Sequence, residues 1–162
     1  MVTVFLGVGS NIDAESNLCL AVSELRSRFG ELALSPVYRS AALGFDGDDF
    51  LNMVVGLQTD LSPHDLLVSI EIIHALAGRV RGPDRYTSRP LDIDLLLYGD
   101  LVDREPPLRL PRRDVLAHSF VLRPLAEIAP EFVHPETQLS IADHWRDFDA
   151  ACHPLTLVDV IL

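Results

Sequence analysis

Two stretches of helical apolar spacing interrupt four strand-like runs, in an order that few folds accept: strand, helix, strand, strand, helix, strand. Residues 2–9 (VTVFLGVG) are apolar and rich in β-branched side chains, ending at Gly9-Ser10-Asn11, which predicts a buried strand. Leu18, Ala21, Val22, Leu25 and Phe29 recur at helical spacing, and Gly30 closes that helix. Residues 32–40 predict a strand with Pro36 at an edge or bulge, residues 41–49 a Gly- and Asp-rich loop, and residues 50–59 another strand. Ser62-Pro63-His64-Asp65 carries an N-cap Ser, a first-turn Pro and an acid three residues after the cap. Leu66, Leu67, Ile70, Ile73 and Ala77 mark one face of the helix that follows, up to Gly78. Residues 79–90 read as a polar loop and residues 91–98 (LDIDLLLY) as a strand, with Gly99-Asp100 as a turn. Beyond it, residues 104–113 read as extended, and residues 120–129 as a short helix with Pro124 in its first turn. The tail from 131 to 162 has scattered signals, and its last run, Leu155 to Leu162, reads as a terminal strand or a packed extended segment. This order suits an α+β ferredoxin-like sandwich, a four-stranded antiparallel sheet with two helices on one face, here followed by a C-terminal appendage.

The length of 162 residues predicts one domain over 1–162, and 48% apolar residues are enough for a substantial core. No apolar stretch reaches the roughly 18 residues that span a bilayer. The N-terminus has neither the basic start nor the small-residue cleavage site of a signal peptide. A cytoplasmic monomer without a membrane partner is the expectation. Cys19 and Cys152 are too few for a disulfide framework or a Cys-rich zinc site, and Cys19 falls in the helical apolar pattern as a small core residue. The net charge of −11 argues against nucleic acid or anionic membrane as a partner. All thirteen basic residues are arginine, which removes Schiff-base chemistry and the phosphate-loop lysine. Their placement is uneven: Arg79 to Arg113 carries +2, the remainder −13. A locally basic segment in an acidic chain suits a small anion.

Asp92 and Asp94 stand two apart on a predicted strand, so both carboxylates share a face, with Cα atoms roughly 6–7 Å apart. Leu91, Ile93, Leu95 and Leu97 are expected on the other face. Two neighbouring anions on a buried strand need a cation. Hard divalent ions supply it, since they prefer carboxylate oxygens together with substrate phosphates. The alternative is that both acids point to solvent. Arg79, Arg81, Arg85 and Arg89 precede the pair and are suited to bidentate phosphate contacts, unless they merely pair with Asp84, Asp92 and Asp94. An acid pair beside an arginine loop resembles a nucleoside-triphosphate site. Phe50 and Phe120 could sandwich a flat heterocycle whose polar edge Asn52 reads, or could be core residues. Trp145, His134, His144 and His153 have no ligand spacing and read as structural or exposed.

Gly9-Ser10-Asn11, Tyr38-Arg39, Leu43-Gly44, Phe50-Leu51-Asn52, Gly78-Arg79-Val80-Arg81, Arg89-Pro90-Leu91-Asp92-Ile93-Asp94 and Pro124-Leu125-Ala126-Glu127-Ile128-Ala129-Pro130 occur in family order. Over roughly residues 2–135 the chain resembles the 6-hydroxymethyl-7,8-dihydropterin pyrophosphokinase family of folate biosynthesis, whose fold is the ferredoxin-like sandwich. The resemblance implies pyrophosphoryl transfer from ATP to the hydroxymethyl group of a reduced pterin, leaving AMP. It implies that Asp92 and Asp94 hold two Mg²⁺ ions, that Arg89 contacts phosphate, and that Arg79 and Arg81 lie on the loop that closes over ATP. Asn52 would read the pterin edge, Phe50 and Phe120 would hold the ring, and Ser40 and Leu43 would border it. Tyr86 falls where the family often has Trp at the nucleotide.

Three positions depart from the family pattern on the nucleotide side. His74 stands where Glu is usual, with Glu71 one turn earlier. Pro111-Arg112 replaces Pro-His, and His118 replaces an Arg two residues before Phe120. These departures keep two alternatives open: a catalytically silent paralogue that binds nucleotide or pterin, and a phosphotransferase with another heterocyclic acceptor.

Overall fold

In the computed structural model, which describes residues 1–78 and 90–162, the six expected segments form one antiparallel sheet with helices. Strand β1 (Val2–Ser10) pairs on one side with β4 (Phe50–Thr59), from Val2↔Thr59 to Ser10↔Leu51, and on the other with β5 (Asp92–Tyr98). Strand β3 (Val37–Ser40) pairs the outer side of β4, and β6 (Thr156–Val158) pairs β3. The two-residue strand β2 (Ala33–Leu34) also pairs β4. The order across the sheet is β5-β1-β4-β3-β6.

The sheet therefore has six strands where four were expected. Pro36 divides the predicted 32–40 strand because it has no N–H to give the ladder. Ser35 bridges the gap: its N–H donates to Val54 O at 3.0 Å, and its Oγ accepts from Val54 N at 2.8 Å. The other added strand, β6, comes from the terminal run.

Helices α1 (Ala14–Phe29) and α2 (Pro63–Leu76) cover one face. Helix α2 starts where its sequence says, with Ser62 Oγ accepting from Asp65 N at 3.2 Å and Pro63 in the first turn. Leu18, Ala21, Val22, Leu25, Leu66, Ile70 and Ile73 pack with Val4, Leu6, Val8, Met53, Val55, Ile93 and Leu95 in one core. Cys19 is exposed, not a core residue, because it lies one residue (about 100°) around the helix from Leu18.

The expected appendage is a second layer. Helices α3 (Asp114–Ala117), α4 (Ser119–Ile128) and α5 (Ile141–Asp147) supply Val115, Val121, Leu122, Leu125 and Ile141 to a core against Phe5, Val54, Leu96 and Leu97 on the opposite sheet face. Helices thus lie on both faces, not one. Pro124 sits inside α4 and not in its first turn, so it offers no N–H to the carbonyl of Phe120 four residues back. No helix among the described residues is long and apolar enough to cross a membrane.

One irregularity decides which face the acid pair takes. Leu6 pairs Leu95 but Phe5 pairs Leu97, so Leu96 is an extra residue on β5. This bulge resets the alternation. Ile93 and Leu95 pack beneath α1 and α2, whereas Leu96 and Leu97 both join the second core. Leu97 thus departs from the expected grouping with Ile93 and Leu95. Asp92 and Asp94 share the face of Leu96, the one roofed by α3–α5.

Candidate active site

Between the acid-bearing face and the start of α4 lies a cleft of about 620 Å³. Its floor is β1, where Gly7 and Gly9 present no side chains. Gly7 pairs with Asp94 on one side and Val54 on the other, and Gly9 with Asp92 and Asn52. The acid pair and Asn52 therefore face one another across a bare strip of backbone. A Cβ on Gly9 would stand 3.0 Å from Asn52 Oδ1, and one on Gly7 would stand 3.4 Å from Leu96.

On the Asn52 side, Ser40, Leu43, Phe50, Asn52 and Phe120 all line the cleft. Asn52 is 8% exposed, and its Nδ2 donates to Ser40 Oγ at 2.8 Å, which fixes the amide's orientation. Both aromatic residues have ring partners that sequence reasoning missed. Phe45 meets Phe50 edge-on at 6.2 Å between centroids, and His118 stacks on Phe120 at 4.8 Å and 9°. Phe45 is the one aromatic residue inside the Gly- and Asp-rich loop, a signal that could have singled it out.

On the acid side, Arg112 Nη2 lies 3.4 Å from Asp94 Oδ1, and its Nε donates to Asp114 Oδ2 at 3.0 Å. Burial works against the guanidinium charge, but Asp94, Asp114 and Asp92 more than offset it and push the Arg112 pKa up. His118 Nε2 stands 3.9 Å from Asp114 Oδ1. Asp114 and Arg109 also line the cleft and were not singled out in the sequence. Arg109 follows a Pro-Pro-Leu stretch with φ 48°, a left-handed backbone that nothing in its residue type announces. The donor set suits a hard divalent cation, since two carboxylates share one face beside the side-chain-free strip. No group of three or more His, Cys, Asp or Glu able to hold a metal occurs among the described residues. Such an ion would take its remaining ligands from substrate phosphates and water.

His74, also expected at the nucleotide, falls elsewhere. It does not line the cleft; it is buried behind β5, where its Nε2 accepts from Ile93 N at 2.8 Å. Arg79, Arg81, Tyr86 and Arg89 lie outside the described residues.

The geometry also explains Gly9-Ser10-Asn11. Gly9 leaves room for Asn52, Ser10 Oγ donates to the carbonyl of Pro90 just before β5, and Asn11 Nδ2 donates to Asp48 O at 3.1 Å in the loop over the cleft. One short motif thus ties three walls together.

A partly buried tie holds the roof. Tyr38, 3% exposed and paired with Asn52 in the sheet, donates its hydroxyl to Glu127 Oε1 on α4, the helix that carries Phe120. Arg123 lies over the Tyr38 ring at 4.8 Å and within 3.6 Å of Glu127. Burial, then the Glu127 carboxylate, pushes the Tyr38 pKa up from 10.0 to about 12. The folded protein keeps this proton where the unfolded chain has lost it. Stability is therefore fully present below pH 10 and falls as pH rises toward about 12. Urea midpoints of wild type and Tyr38→Phe, compared at pH 9 and pH 11.5, test this: the wild type should lose the larger increment. Equal losses would contradict it.

His134 reads as structural, as expected. It is 4% exposed, its Nδ1 accepts from the Glu136 and Thr137 amides, and burial lowers its pKa.

Comparison with known proteins adds to this geometry. The sequence model of the family described as 7,8-dihydro-6-hydroxymethylpterin-pyrophosphokinase matches residues 5–130. A protein of Methylorubrum extorquens named 2-amino-4-hydroxy-6-hydroxymethyldihydropteridine pyrophosphokinase is 43% identical over 137 residues, covering 82% of this chain and 86% of its own length. Proteins of the same name from Aquifex aeolicus and Pseudomonas aeruginosa are 37% identical over 137 residues and 36% over 153. They cover 83% and 92% of this chain, and 85% and 91% of their own lengths. A crystal structure of Plasmodium falciparum HPPK-DHPS with pterin and p-hydroxybenzoate shares the fold, with a TM-score of 0.73 at 14% identity. It covers 90% of this chain, which spans 42% of the solved one.

Proposed function

Because the chain belongs to the 7,8-dihydro-6-hydroxymethylpterin-pyrophosphokinase family, we infer that it transfers pyrophosphate from ATP to the hydroxymethyl group of 6-hydroxymethyl-7,8-dihydropterin in folate biosynthesis. Residues 1–162 are read as one pyrophosphokinase domain, a ferredoxin-like sandwich extended by β6 and roofed by α3–α5. It works as a cytoplasmic monomer, and its charge of −11 disfavours nucleic acid or anionic membrane as a partner.

The observation that carries the site assignment is the arrangement across β1: a carboxylate pair on β5 opposite an oriented amide between aromatic rings. Asn52 hydrogen-bonds the polar edge of the pterin, Phe50 and Phe120 hold its faces, and Ser40 and Leu43 border it. This orientation brings the hydroxymethyl group toward the Asp92 and Asp94 side. Asp92 and Asp94 would hold two Mg²⁺, which would supply charge neutralisation of the triphosphate and polarisation of the β-phosphoryl group. Arg112 exchanges its contact with Asp94 for a phosphate oxygen, and His118 borders the same phosphates. Arg79, Arg81, Arg89 and Tyr86 complete the nucleotide side.

The hydroxymethyl oxygen attacks the β-phosphorus, and the bond to the oxygen bridging the α- and β-phosphates breaks. AMP departs with that oxygen, and the alcohol proton passes to water. Positioning and charge neutralisation supply most of the acceleration, so no covalent role falls to a side chain.

Incubation with ATP, Mg²⁺ and the hydroxymethyl pterin should yield AMP and the pterin diphosphate in equal amounts, read by chromatography. Nucleotide and pterin binding without AMP would mark a silent paralogue instead.

A further inference from the structure

Among the described residues, β5 is the outermost strand on its side of the sheet, with β1 as its one partner strand. Ile93, the residue between Asp92 and Asp94, gives its N–H to a side chain: His74 Nε2 accepts it at 2.8 Å in a buried bond. The other ring nitrogen, Nδ1, lies 3.2 Å from Glu71 Oε1. An imidazole that accepts at Nε2 carries its proton on Nδ1, and that proton faces the Glu71 carboxylate. Both nitrogens are thus committed, and the ring is 4% exposed beneath the strand. The bond reaches the backbone at the midpoint of the acid pair, on the side of the sheet opposite the cleft.

We propose that His74 is a positioning residue for the acid pair. It takes the Ile93 amide in the way a neighbouring strand would, and so fixes the spacing and direction of the Asp92 and Asp94 carboxylates. The inference rests on the reading of those two acids as the metal-holding groups. An acceptor at the distance of Nε2 is what the position requires. Glutamine can present Oε1 there, leucine presents none, and asparagine is too short.

The test uses His74→Leu and His74→Gln, with His74→Asn in place of the leucine variant if that one does not fold. Amide exchange by NMR, without ligands, reads the bond at Ile93. Mn²⁺ binding by electron paramagnetic resonance, with saturating α,β-methylene-ATP, reads the acid pair. His74→Leu should speed exchange at Ile93 and weaken Mn²⁺ binding about tenfold, with glutamine restoring both. Wild-type Mn²⁺ affinity in His74→Leu, or equal loss in His74→Gln, would overturn the proposal. The underlying metal reading fails separately, if wild type binds Mn²⁺ no better than Asp94→Ala. Exchange at Ile93 would still report whether His74 holds that amide.

Discussion

Replacing Asp94 with alanine should lower AMP formation by about a thousandfold or more while leaving the fold intact. The rate effect follows from charge. A bound triphosphate needs divalent cations to bring an alcohol to its β-phosphorus. Losing half of the carboxylate pair proposed to hold them should remove several kcal/mol of stabilisation at the transition state, and each ~1.4 kcal/mol is a factor of ten. The fold should tolerate the change because of where Asp94 stands. Its side chain is 30% exposed at the cleft, and Arg112, its partner at 3.4 Å, retains Asp114 at 3.0 Å. Among the described residues no buried charge is stranded, so Arg112 does not bring the destabilisation that follows from breaking a buried pair. Single-turnover AMP release and a thermal melt followed by circular dichroism measure the two halves. Turnover near wild type would count against the metal assignment.

Asn52→Leu should weaken pterin binding about a hundredfold while ATP binding stays near wild type. Leucine keeps the volume and removes every hydrogen-bonding atom. Two lost bonds to the ring edge, at about 1–1.5 kcal/mol each, sum to a little under 3 kcal/mol. The separation of effects follows from the sheet. Asn52 lies on β4 and Asp94 on β5, with the glycine strip of β1 between them, so the amide can be removed without touching the acid side. Calorimetric titration with pterin and, separately, with an ATP analogue reads the difference. An equal loss for both ligands would mean that Asn52 shapes the whole cleft and does not read the pterin alone.

Much of this was legible in the sequence wherever one pattern had one solution. The capped start of α2, the helical face of α1 and the paired aspartates on one strand face follow from spacing alone. The run Leu95-Leu96-Leu97 is different: it is apolar throughout, so alternation cannot locate the bulge that turns Leu97 to the second core. Of the second helical layer only α4 was legible, for a related reason. Helices α3 and α5 have four and seven residues, too few for a helical period to emerge. Pairings across long sequence separations left no local trace either. Tyr38 reaches Glu127, Ser10 reaches Pro90, and Arg112 reaches Asp94, and only the folded chain brings them together. His74 is the sharpest case. Its family position suggested the nucleotide, but its partner is a backbone amide, which no residue type can advertise.

The proposed chemistry requires that Asp92 and Asp94 hold two divalent ions at a bound triphosphate. A crystal structure with α,β-methylene-ATP, Mn²⁺ and the hydroxymethyl pterin, recorded at the manganese edge, tests it most directly. Two anomalous peaks are expected between the aspartates and the phosphates, with the pterin between Phe50 and Phe120 and Arg112 drawn from Asp94 onto phosphate. Arg112 still paired with Asp94, with no anomalous peak beside the aspartates, would contradict it.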